Sequence, residues 1–142
     1  MQTLRIQDDI NVFGFEVKSF PNGVGEAFDK LVQMVPEGIN RAYYGVSYMD
    51  DQGKVVYIAA VEEKNDDKPE ANNCQKYSIP KATYITETLV DWMQNTDQIK
   101  DIFHAMINRP GVDLTKPCIE WYKSDDEMVC MMKLLAVEAA IK

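Results

Sequence analysis

Glu120 is the residue whose type and setting most invite chemistry. It stands between Ile119 and Trp121 in the run PCIEWYKSDDEMVCMMKL, residues 117–134, where apolar and aromatic stretches flank a short acidic turn. A carboxylate among apolar strand residues is expensive to bury unless something pairs with it. The position therefore reads as a pocket wall or a solvated strand face. Large aromatics, Tyr122 and Trp121 among them, crowd the same run.

The elements around this acid follow from periodicity. Residues 117–134 read as a β-hairpin turning at 124–126. Residues 44–61, YGVSYMDDQGKVVYIAAV, repeat its layout, with Tyr48 matching Tyr122 at a distance of 74 residues and Gly53 in the turn. A polar lead, residues 1–9, precedes a strand over 11–20, which Pro21, Asn22 and Gly23 break. Val24, Ala27, Phe28, Leu31, Val32 and Val35 fall at helical spacing, and Pro36 and Gly38 end that helix.

The second half repeats the order. Residues 75–89 form a strand region bent at Pro80. A helix follows from Thr96–Asp97, with the stripe Ile99, Ile102, Phe103, Met106 and Ile107, and stops at Arg109–Pro110–Gly111. The charged run EEKNDDKPEANN between the halves has no apolar period and reads as a solvated linker. The tail, LAVEAAIK, extends the last strand or turns helical.

The expectation is thus one α+β domain over 1–142, made of two βαββ units: half 1 at about 10–62, a linker at about 63–74 and half 2 at about 75–136. Such a duplication makes a curved antiparallel sheet with both helices on one side and a groove between them, a natural place for a small molecule. Strand alternation puts Cys118, Glu120 and Tyr122 on one face and Ile119 and Trp121 on the other. The repeat aligns Tyr44, Val46 and Tyr48 with that first set. A central site would then carry aromatics from both halves but one acid.

Composition sets further bounds. The chain has 142 residues and a net charge of −8, from 15 basic and 23 acidic side chains, with no basic patch. Direct nucleic-acid binding as the main activity is therefore not expected. Cys74, Cys118 and Cys130 form neither a zinc spacing nor a disulfide framework, and read as reduced core thiols. Cys118 and Cys130 could face each other across the hairpin. No signal pattern or membrane-length apolar run appears, which reads as a cytoplasmic protein with no membrane partner. His104 has no matched partner and reads as structural, so neither metal nor cofactor is expected. Phosphate-loop, GxSxG and Cys/His nucleophile motifs are absent.

The residues at this point resemble a known family. Ile79–Pro80 with Tyr84, then a helix, then Pro117, Glu120 and Tyr122 followed by an apolar return strand, look like the GyrI-like small-molecule-binding domain. That domain also serves as the effector-binding module of AraC-type and MerR-type multidrug regulators of transcription. The chain departs from the family pattern where Val90–Asp91–Trp92–Met93 replaces a Gly-Pro-Tyr turn, with Trp92 as the aromatic substitute. The resemblance implies an aromatic-lined cleft in which an acid, Glu120 by position, pairs with hydrophobic cations. It names Tyr44, Tyr48, Tyr84, Trp92 and Tyr122 as the walls, each adding roughly 0.5–2 kcal/mol of cation–π attraction. Regulators of the family carry a helix-turn-helix ahead of this domain. Only about ten residues precede the first strand here, so a standalone binding or sensor protein is expected.

Two alternatives stand beside that reading. Some relatives are thought to hydrolyse reactive electrophiles with the pocket acid and a tyrosine, a role open to Glu120 with Tyr84 or Tyr122. Gyrase-inhibitor members instead bind a protein partner, which an acidic surface also suits.

Overall fold

The structure, a computed structural model, describes residues 1–136. The tail expectation falls mostly outside them. Eight strands and two helices follow one another as β1 (Gln2–Ile6), β2 (Ile10–Glu16), α1 (Val24–Met34), β3 (Tyr43–Met49), β4 (Val55–Glu62), β5 (Gln75–Ile79), β6 (Ala82–Val90), α2 (Asp97–Ile107), β7 (Cys118–Tyr122) and β8 (Glu127–Lys133). All strand pairs are antiparallel, in the order β1-β6-β8-β7-β3-β4-β2-β5.

The duplication is visible in that order. β7 and β3 meet at the middle, and β8, β6 and β1 on one side answer β4, β2 and β5 on the other. The polar lead is in fact a strand: β1 completes the second half by pairing with β6, as β5 completes the first by pairing with β2. Each half therefore has an extra strand ahead of its βαββ unit. These strands escaped the periodicity reading because they are edges. Gln2 to Arg5 are all exposed, so no apolar alternation marks them.

The edges are joined by short connections although they lie at opposite ends of the sheet. Only Pro80 and Lys81 separate β5 from β6, and Lys81 N–H donates to Asp9 Oδ1 at 2.8 Å, tying this crossing to the β1–β2 one. Such short links force the sheet to curl into a half-barrel. Its inner face gathers Ile6, Val46, Ile79, Tyr84 and Ile119, from both ends and the middle of the sheet, into one core.

The outer face carries the helices. Leu31 of α1 is fully buried with Phe13, Tyr57 and Val61, while Phe103 and Met106 of α2 bury against Ile85, Met128 and Met132. The apolar stripes read from the sequence are the stripes that dock. The presumed linker is not wholly solvated. Asp67 takes the Arg41 guanidinium in a two-pronged ion pair, at 2.5 and 3.2 Å, with both side chains sealed from water, and Pro69–Asn72 form a 3-10 turn. A lone pair of opposite charges leaves no trace in hydrophobic periodicity.

Candidate functional site

The site is built at the junction of the two halves, on the helix side of the sheet. β7 lies against β3 in a register that pairs Gly45 with Glu120, Tyr44 with Trp121 and Tyr43 with Tyr122. Tyr43, Gly45 and Ser47 therefore share a face with Glu120. Tyr44, Val46 and Tyr48 point to the other. The repeat alignment was one residue out of register, and side-chain period two turns a one-residue slip into a change of face.

Glu120 is only 8% exposed. Its Oε1 accepts hydrogen bonds from two tyrosine hydroxyls, Tyr122 at 2.6 Å and Tyr57 at 2.7 Å, and those hydroxyls lie 3.0 Å from each other. None of the ion pairs among the described residues includes Glu120. Burial raises the Glu120 pKa above the usual carboxylate value, and the hydrogen bonds from Tyr122 and Tyr57 oppose that rise. Burial, and the carboxylate alongside, push both tyrosines well up, so their hydroxyls stay protonated donors. Cys118 and Cys130, raised to about 11 and about 12 chiefly by burial, remain neutral thiols beside the acid. Both are free, as are all three cysteines.

Gly45 makes this arrangement possible. A Cβ at that position would stand 2.6 Å from Glu120 Oε1 and overlap the Tyr57 hydroxyl. The missing side chain of β3 is the space that the carboxylate and its hydroxyl partner occupy.

Aromatic rings from both halves cover the cluster. Phe28 of α1 and Trp92, in a 3-10 turn before α2, each make an edge contact with the Tyr122 ring at 5.0 Å. Phe20, from the turn after β2, stacks on Tyr57 at 4.8 Å, and Phe28 also meets Tyr43 edge-on at 6.1 Å. Phe20 and Trp92 ride on connecting turns, whereas Tyr57, Tyr43 and Tyr122 are fixed in strands. Trp92 is held by its indole N–H donating to the Ser124 carbonyl at 3.2 Å.

Of the six residues expected at the site, the structure brings together Glu120, Tyr122 and Trp92. Tyr44 and Tyr84 lie in the inner-face core, where the Tyr84 hydroxyl donates to the Pro80 carbonyl at 2.7 Å. Tyr48 is exposed near the far end of β3. Sequence reasoning missed Tyr57, Tyr43, Phe20, Phe28 and Gly45. Tyr57 carried a usable signal: it is an aromatic in the return strand of the first hairpin, where the second has Met128 to Met132. Trp121, expected in the core, packs half-buried against it. His104 is exposed on α2, and no cluster of metal-ligating side chains exists among the described residues. No helix among them is long and apolar enough to cross a membrane.

Fold and site together define a duplicated α+β half-barrel with one acid buried under aromatics at its pseudo-twofold. Solved structures share this architecture along nearly the whole chain. An integron cassette protein, VCH_CASS2, from the mobile metagenome of Vibrio cholerae superposes with a TM-score of 0.69 at 16% identity, covering 94% of each chain. SAV2435, in a structure bound to tetraphenylphosphonium, gives 0.67 at 11% identity, covering 98% of this chain and 96% of its own. A candidate transcription regulation protein from Staphylococcus aureus MU50 gives 0.62 at 11% identity, covering 95% and 97%. At these identities the likeness is one of fold. No protein-family model matches the sequence, and no curated protein matches it.

Proposed function

We propose that the protein is a small-molecule binder of the GyrI-like type, whose ligand is a hydrophobic cation held over Glu120. The observation that carries this reading is a buried carboxylate with hydroxyl donors on one oxygen and no cationic partner among the described residues. A carboxylate so placed costs stability unless a positive charge reaches it, and a cation with an apolar coat brings that charge without a large hydration cost of its own. The rings of Tyr122, Phe28 and Trp92 supply faces and edges that suit such a cation without demanding one shape. Phe20 and Trp92, carried on turns, are the rings that part to admit it. That a protein of the same fold has been seen with tetraphenylphosphonium supports the same class of ligand.

The test is direct titration with tetraphenylphosphonium, followed by tryptophan fluorescence in a Trp121→Phe background so that Trp92 alone reports. Saturable quenching at micromolar cation is expected. A signal that stays linear to millimolar concentrations would remove the cation-binding reading.

The same geometry favours a second reading. Glu120 could also act as general base on a strained electrophile: it takes a proton from a water whose oxygen bonds to the strained carbon as the ring bond breaks, and returns that proton to the departing atom, with the Tyr57 hydroxyl at 2.7 Å orienting the carboxylate. Turnover by the wild type and none by Glu120→Gln would select it over simple binding.

A further inference from the structure

A cavity that Glu120 does not line opens where β3 runs on past the start of β7. Tyr48 and Met49 extend beyond Ser47, the last residue of β3 that pairs with β7, and the loop 114–117 stands off from them. The space between has a volume of about 810 Å³, within the size range of small-molecule sites. Ile58, Tyr77 and Met132 contribute to its wall.

Its surroundings are unusual for this chain in two ways. Large apolar side chains are left in water around it: Met49 is 68% exposed, Leu114 64% and Tyr48 43%. A contiguous apolar patch of this kind marks a contact surface or ligand groove more often than chance. The charge is also inverted. The protein carries 23 acidic side chains, yet those lining this cavity include Lys76 and Lys116 and no Asp or Glu. Lys76 is engaged from outside by Glu70 at 3.0 Å and Glu63 at 3.7 Å. Lys116 enters no ion pair among the described residues, and the nearby Asp113 carboxylate is taken by Thr115 and Lys133. The thiol of Cys118 on the floor stays neutral, its pKa raised to about 11 mainly by burial, so it does not repel an anion.

We infer that this cavity is a second binding site, and that its ligand is an amphipathic carboxylate, with its apolar body against Tyr48, Met49 and Leu114 and its anionic head at Lys116. The cavity shares no lining residue with the Glu120, Tyr57 and Tyr122 cluster, and its charge preference is the opposite. It also gives Tyr48 a ligand-binding role at a place other than the one its spacing suggested.

The experiment is calorimetric titration of the full chain with decanoate below its micellar concentration, with decanol and decyltrimethylammonium as chain-matched controls. Decanoate is expected to bind more tightly than either control. Lys116→Met should weaken it about fivefold, the worth of one exposed charge pair, and added salt should do the same. Leu114→Asp, at an exposed loop position that leaves the core untouched, should abolish it. Equal binding of decanoate and decanol, or insensitivity to both Lys116→Met and Leu114→Asp, would overturn the assignment. So would a concentration-dependent dimer that Leu114→Asp dissociates in the absence of any decanoate effect, since the patch would then belong to a second copy of the chain.

Discussion

Glu120→Gln should raise the thermal unfolding midpoint, and the gain should grow with pH. Burial raises the Glu120 pKa in the folded protein above its unfolded value. A group of that kind contributes its full stability below the unfolded pKa, about 4.3 for glutamate, and loses it as pH rises through the folded pKa. Glutamine does not titrate. The difference between mutant and wild type should therefore be smallest near pH 4 and widen above it, levelling off once the folded carboxyl has ionised. Each unit of upward shift corresponds to about 1.4 kcal/mol, or roughly 3–5 °C for a chain of this length. Tyr57 and Tyr122 can still donate to the amide oxygen, so the hydrogen bonds now made to Oε1 need not be lost. Thermal melts of both proteins between pH 4 and 9 measure this. A mutant that is less stable by the same margin at every pH would mean that the acid is a structural hub, not a site held ready for a charge.

Gly45→Ala should have the opposite consequence for the fold and the same for the site. The added methyl has no room: it meets Glu120 Oε1 at 2.6 Å and collides with the Tyr57 hydroxyl, and both groups are held in the interior of the sheet. Relief requires displacing a strand or breaking the Tyr57–Glu120 hydrogen bond. Overpacking of this order costs about 2 kcal/mol, visible as a drop in the denaturant midpoint. Loss of tetraphenylphosphonium binding should accompany it. Gly25→Ala is the control, because nothing lies within 4 Å of a Cβ there and the position is in the first turn of α1. It should be neutral or stabilise by up to about 0.5 kcal/mol. If the two alanine variants unfold alike, Gly45 is not the space-maker described.

Much of the architecture was legible in the sequence because it rests on burial. The stripes of α1 and α2 and the two central hairpins announce themselves by period, and the β3–β4 and β7–β8 pairings follow from their turns. β1 was not legible, since an exposed edge strand such as QTLRI has no buried face to write into its residues. Two of the six expected site residues, Tyr44 and Tyr48, were lost through register, and Tyr84 because β6 turns it to the inner face. Matching Tyr48 to Tyr122 aligned two tyrosines of similar spacing, but the ladder sets Gly45 opposite Glu120, and the aromatics recruited from β3 changed face. The acid's other hydroxyl partner beside Tyr122, Tyr57, comes from a strand that does not touch β7. It reaches Glu120 across β3 through the gap at Gly45, a geometry visible only once the strands are laid side by side.

The most direct measurement of the central claim is the affinity for tetraphenylphosphonium of the wild type and of Glu120→Gln, at pH 8 and moderate salt. The buried charge predicts a fall of about 30-fold on substitution, equivalent to about 2 kcal/mol. Equal affinities in the two proteins would contradict it.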